Sequence, residues 1–460
     1  MLTHAGHGLV VVVNARSLAG ICGGDLAQVP QSRFNNWQGL GFGAILLEKI
    51  WQEPGDGKSE CVDAFAPDHG LGGTQGLNIF RQKAAQAGLS LLLDFPPFQV
   101  AQTNPILTVQ PNWMIHQPVT PEVDMAQGAW FAREVEPGQF LAIARGKDPY
   151  FPPVPGSAQL NPCHPGLREH MQSVLAGIAT LCDGAWFSSA MLALPVGIEK
   201  TWGELKMPSM GGAIVEDSPW PDLMDSARDV SPDFLGLAEA YWGVEWDLMG
   251  QGFDFCLDQR MVGRLGQQDW TGVTAHLAAP WDYLRRTLHR WNEIQDSLNG
   301  LGGQEAFLIW SLFLATPGLK LVESEFLDGF TEGVKAGELE RYSAPFSAAL
   351  KAVSVLDAEW VFRPLEFPGK QLGFDGAHWG LVWTRISDGE TRHLLFLARF
   401  QDGEATELVV DLGAGVCQSI RQVPIEMGVG QNQGAWKENS YHVVLKDQAT
   451  VYFDIRPTME

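Results

Sequence analysis

Cys182-Asp183-Gly184-Ala185-Trp186-Phe187-Ser188-Ser189-Ala190 follows the helix-forming stretch Leu167–Leu181, and its apolar centre, Gly184–Phe187, reads as a buried strand. The same unit, an apolar run beside an amphipathic helix, recurs on both sides of it. Leu9–Val13, Ala44–Leu47 and Leu89–Leu93 come before it. Phe234–Ala238, Phe253–Leu257, a weak candidate near Leu288–Ile294, and Leu319–Val322 come after it. Helices such as Gln75–Ala87, closed by Gly88 as a C-cap, separate the runs. Roughly eight such units predict a closed (β/α)8 TIM barrel, an α/β fold.

Two regions break the alternation. Residues 100–160 are rich in Pro, Gln and aromatics and include Pro152-Pro153-Val154-Pro155-Gly156. So long an excursion after the third strand reads as an inserted loop-rich domain. From 365 the pattern turns to extended runs: Leu381–Ile386, His393–Arg399, Glu407–Leu412, His442–Leu445 and Thr450–Ile455. These predict a C-terminal antiparallel β-sandwich over 365–460. Residues 1–99 and 161–364 are left for the barrel.

The chain has 460 residues, 45% hydrophobic and 18% charged, which suits a globular protein of more than one domain. A net charge of −23 excludes the basic footprint that nucleic acid requires. No apolar run reaches the roughly 18–20 residues of a membrane span. Val10–Val13 is too short for a signal segment and lacks a basic flank, so it reads as a strand. Six cysteines without paired spacing suggest neither a disulfide framework nor zinc, and a reducing, cytoplasmic setting is expected. Gly20-Ile21-Cys22-Gly23-Gly24 lacks the Lys-Ser/Thr of a phosphate loop, and His4, His7 and His69 have no metal spacing.

Ordered local motifs carry a family resemblance. These are Asp68-His69-Gly70-Leu71-Gly72-Gly73, Gly88–Pro97, Leu160–Arg168, Asp183–Ser188, Leu237–Trp242 and Thr316-Pro317-Gly318-Leu319. In this order they resemble the conserved segments of the α-amylase family, glycoside hydrolase family 13, across about residues 8–330. The resemblance implies a retaining mechanism, with a nucleophilic carboxylate and an acid/base carboxylate about 5–5.5 Å apart. It places the acid/base at Glu239, at the end of a barrel strand. The bland alternative is a Glu that opens a helix or pairs with a basic neighbour.

The other matched positions depart from the pattern. Against D-G-x-R-x-D, Trp186 takes the arginine position and Ser188 the nucleophile position. A serine could act only with an activating base, and no His-Asp arrangement accompanies it; a small polar residue ending a strand is the simpler reading. Loss of the arginine removes the cation that would keep neighbouring carboxylates ionised. In the third-strand motif, Asp94 is kept as a structural residue, while Phe98-Gln99 replaces the Asn-His pair that holds calcium and sugar. Phe98 offers a hard cation no oxygen donor, so no metal or other cofactor is expected. Glu60 falls where a sugar-stacking tyrosine stands, and Gln295 where a sugar-binding histidine does. Asp296 takes the third carboxylate position, with Asp282 as an alternative. Among seventeen tryptophans, Trp186, Trp242, Trp246 and Trp281 lie near predicted strand ends, where each could stack on a sugar or simply pack.

The combined expectation is a pseudoenzyme that binds an α-glucan or oligosaccharide, or a protein partner, without retaining hydrolysis. The rivals are an altered-mechanism hydrolase or transglycosylase using Glu239 and Asp296, and a structural subunit of a larger assembly.

Overall fold

The computed structural model describes residues 7–54, 62, 64–119, 128–203, 217–295, 303–331, 343–356, 359–364, 378–387, 390–399, 406–410, 416–422, 433–437, 440–445 and 449–458. Eight strands form the barrel: β1 (His7–Asn14), β2 (Ala44–Glu48), β3 (Ser90–Phe95), β4 (Gly184–Phe187), β5 (Leu235–Ala238), β6 (Phe255–Leu257), β7 (Thr287–Arg290) and β8 (Gly318–Glu323). Their order around the closed sheet is β1-β8-β7-β6-β5-β4-β3-β2, so each strand lies beside its neighbour in sequence. This is the (β/α)8 topology expected from the alternation. The weak seventh candidate resolves into a strand, Thr287–Arg290, followed directly by a helix, Trp291–Gln295. That change of period explains its faint signal.

By its internal contacts the chain divides into two units, one of Val13–Phe34 with Ile45–Cys256, the other of Met1–Val12, Asn35–Ala44 and Leu257–Glu460. In the first unit, Asp183 fixes β4. Its backbone N–H donates to Leu91 O (2.7 Å), and its Oδ2 accepts the Leu91 N–H at 2.8 Å. Arg81, from helix Gly73–Gln86, reaches Asp183 Oδ1 at 2.6 Å and donates to Thr180 O and Cys182 O. One residue on, Gly184 lies tight against β5: a Cβ there would stand 2.5 Å from Leu235 O and 2.9 Å from Leu92 Cδ2. The resulting register sets Trp186 opposite Asp94 on β3 and Leu237 on β5.

The insertion is more regular than its composition suggests. Gln99–Ala101 pairs antiparallel with Ser157–Gln159, and His116–Pro118, Gln139–Ala144 and Trp130–Glu136 form a three-stranded sheet. Alternation along Trp130–Glu136 is written in charged and half-buried residues, which hides it from a search for apolar runs.

In the second unit, Lys320 on β8 is buried, and its Nζ donates to Pro317 O (2.7 Å) and Gly318 O (2.8 Å) beside His289. Burial holds its pKa well below the ordinary lysine range. The C-terminal strands form antiparallel sheets of five and three strands. Trp383 anchors the larger one, donating from Nε1 to Ala315 O at 2.8 Å and meeting His7 and Trp281 edge-on. The five C-terminal runs predicted from sequence all fall on strands, Glu407–Leu412 as far as Val410, where the described residues stop. Trp360–Pro364, Val416–Gln422 and Gln433–Lys437 join them.

Gly184→Ala should destabilise the protein by about 1–3 kcal/mol, the usual range for an overpacked core. A urea midpoint unchanged from wild type would contradict the close strand approach at this residue.

Candidate active site

The chain after β4 turns sharply. Ser188 continues the β3 contact, donating its N–H to Phe95 O at 3.2 Å. Ser189 then adopts a left-handed backbone, φ 53°, unusual for a residue with a side chain. Its N–H donates to Glu239 Oε2 at 2.5 Å. The other carboxylate oxygen, Oε1, accepts the Tyr241 hydroxyl at 2.7 Å, and the Glu239 N–H donates to Phe187 O at 3.1 Å. Glu239 therefore ties the end of β4 to the end of β5, and each of its carboxylate oxygens has a protein partner. It lines neither cavity described below.

A cavity of about 370 Å³ opens at the C-terminal ends of β2, β3 and β4, the end where barrel enzymes carry their sites. Glu48, Lys49, Trp51 and Glu53 line it from β2 and the chain beyond, and Asp94 and Pro96 from the end of β3. Gln99 and Val154 from the insertion, and Ser188, complete the wall. A smaller cavity of about 60 Å³ shares Pro96, Gln99 and Ser188. Trp186 lines neither. It is 4% exposed within β4, its indole buried in the packing.

Asp94 is the electrostatically unusual group. It keeps some exposure at the cavity wall, but its Oδ1 is buried and has no hydrogen-bond partner among the described residues. Oδ2 accepts only a long bond, 3.3 Å, from the Lys49 N–H. Burial, and then the negative charge of Glu48, push its pKa up to about 7, against a smaller pull down from Lys49. Its register partner is the uncharged Trp186. Lys49 itself holds a left-handed backbone at φ 60°. Behind the wall, Arg16 binds Asp68 (2.8 Å), Glu53 (3.4 Å) and the Trp51 carbonyl (3.0 Å).

The remaining expected residues scatter. Gln99 is in the wall, packed on Gly146. Phe98 turns an aromatic edge to Trp220 at 5.6 Å. Trp242, at φ 65°, is half-buried between the Lys200 ammonium (4.6 Å) and the Tyr150 ring (5.9 Å). Glu60 and Asp296 lie outside the described residues, as does the side chain of Gln295 at the end of its helix. Asp282 is exposed and paired with Arg285. Glu48, Lys49, Trp51 and Glu53 escaped the sequence reading. Two charges straight after the apolar run of β2 are the signal that points to them, because strand C-termini carry barrel sites. Among the described residues, no group of three His, Cys, Asp or Glu is placed to hold a metal ion, and no helix is long and apolar enough to cross a membrane. Cys22, Cys163, Cys182 and Cys256 carry free thiols.

A closed barrel, an insertion after its third strand and C-terminal antiparallel sheets together define the fold of the α-amylases and related debranching enzymes. The chain is similar over nearly its whole length to the α-amylase of H. orenii (TM-score 0.66, 13% identity, covering 98% of this chain and 99% of that one). It is equally similar in fold to the Geobacillus thermoleovorans α-amylase solved with acarbose (TM-score 0.64, 14% identity, 98% of both chains). The Nostoc punctiforme debranching enzyme also shares the fold (TM-score 0.60, 12% identity, 98% of both chains). No family sequence model matches the chain, and no curated protein sequence matches it.

An aspartate ionising near pH 7 when folded and near 3.8 when unfolded favours the folded state below pH 4, and that benefit is lost as pH rises through 7. Asp94→Asn should remove this dependence and raise the melting temperature at pH 8 relative to wild type. Parallel melting-temperature curves for the two proteins between pH 5 and 8 would disprove the assignment.

Proposed function

We propose that this protein is an α-amylase-fold pseudoenzyme, a descendant of glycoside hydrolase family 13 that binds an α-glucan or oligosaccharide and does not cleave it by the retaining route. The observation that carries the reading is the state of the two catalytic positions. Ser188 supplies no carboxylate at the end of β4, and Glu239 has both oxygens engaged by Ser189 and Tyr241. Retaining hydrolysis needs a carboxylate to form the glycosyl-enzyme and a proton donor at the leaving oxygen. A serine hydroxyl without a base cannot do the first. A glutamate tied to two donors is committed to holding the loops that follow β4 and β5.

Glycan binding rests on different ground. The cavity falls within the size range of small-molecule sites and combines apolar wall (Trp51, Val62, Pro96, Val154) with polar groups that can meet hydroxyls (Gln99, Ser188, Asp94). The acarbose in the Geobacillus amylase structure is a precedent for oligosaccharide binding on this fold.

Maltooligosaccharides should bind the protein in calorimetry and emerge uncleaved, with turnover several orders of magnitude below an amylase. Glu239→Gln should lower stability by about 1–3 kcal/mol, because an amide NH2 would face one of two donors. Glu239-dependent release of reducing sugar would overturn the proposal, and the absence of heat with any α-glucan would remove its binding half.

A further inference from the structure

The loop 146–156 is pinned beside the cavity and bare at its tip. At its neck the Val154 N–H donates to Gly146 O at 2.8 Å, and the Gly146 N–H donates to Ser157 Oγ at 2.9 Å. Gly146 lies against Gln99, and both Gln99 and Val154 line the cavity. Four of the eleven loop residues are proline, which restricts the backbone along its length. Asp148 closes a turn at the tip, its Oδ1 accepting the Tyr150 N–H at 2.7 Å. The Tyr150 ring meets Trp242 edge-on at 5.9 Å, and Trp242 follows the last residue of β5 by four positions. That contact sets the tip at the C-terminal end of the barrel, the end where the cavity opens. Yet Tyr150 is 68% exposed, and the next residue, Phe151, is 72% exposed.

Two adjacent aromatic side chains held in water gain free energy when an apolar surface covers them. The loop is ordered before any ligand arrives, so docking on it costs little further entropy. A pyranose suits such a surface, because its C–H face packs on an aromatic ring while its hydroxyls stay hydrated. Val154 and Tyr150 are four residues apart, a span of at most about 14 Å. A sugar chain with one end in the cavity therefore needs only a few more units to reach the rings.

Resting on the glycan-binding reading, we propose that Tyr150 and Phe151 form a platform outside the cavity for the outer units of an α-glucan, so that the protein selects long chains over short ones. The cavity holds the chain end, and the platform is reached only when enough chain follows.

The test is calorimetry with maltose, maltotetraose and maltohexaose on wild type and on the Tyr150→Ala/Phe151→Ala double variant. Wild type is expected to bind maltohexaose at least about tenfold more tightly than maltose. The double variant should bind all three sugars about as wild type binds maltose. Tyr150→Phe, which keeps the ring, should retain the preference that Tyr150→Ala weakens. Should Tyr150→Ala disturb the fold through Trp242, Phe151→Ala alone decides, and it too should weaken the preference. Equal affinities for the three sugars on wild type overturn the platform and leave the glycan-binding reading standing. A tenfold preference that persists in the folded double variant, or undiminished in Phe151→Ala where that variant decides, also overturns it. No heat from any of the sugars overturns both.

Discussion

The grip of Asp183 on β3 and on helix Gly73–Gln86 sets the geometry of the site. One backbone and one carboxylate bond to the Leu91 main chain, with an ion pair to Arg81, fix where β4 begins. A one-residue slip in a strand reverses which face every side chain meets. With the start of β4 pinned and Gly184 pressed against Leu235, Trp186 must lie opposite Asp94, and Ser188 must emerge at the cavity wall. The Arg81–Asp183 pair is partly exposed, so its share in stability is modest. Its value lies in register. The scaffold thus fixes where the residues that follow β4 meet the cavity.

Much of this was legible from sequence because barrel strands are buried on both faces and read as uninterrupted apolar runs. Val10–Val13, Ala44–Leu47 and Leu91–Leu93 are examples. The motif anchored at Asp183-Gly184 pointed to Trp186, which lies in β4, and to Ser188, which lines the cavity. Strand Val416–Gln422 escaped because it mixes Gln, Ser and Arg with its apolar residues. The sheet inside the insertion escaped for the same reason, its strands being half-exposed.

The candidate site was half legible. Motif matching pointed to Asp94, Gln99 and Ser188, which share one cavity, and to Trp186, which is buried and does not line it. It gave no hint that Glu239 is bound on both oxygens, since that depends on the left-handed turn at Ser189. Nor could it find Lys49 or Glu53, which belong to no motif and come into one cavity with Asp94 only through folding. The elevated pKa of Asp94 arises from burial and a neighbour 46 positions earlier, Glu48. Such a coupling is invisible along the chain.

Trp186 and Ser188 constrain what charge this end of the barrel can take. A carboxylate placed at position 188 would join Asp94, Glu48 and Glu53 in a wall that holds the Lys49 ammonium. A guanidinium placed at position 186 would replace a buried indole and would have to find room and partners within β4. Neither change touches Glu239, which keeps Ser189 and Tyr241 as its donors. The indole therefore makes the two positions interdependent, so that charge enters this end of the barrel as a pair or at a cost in stability.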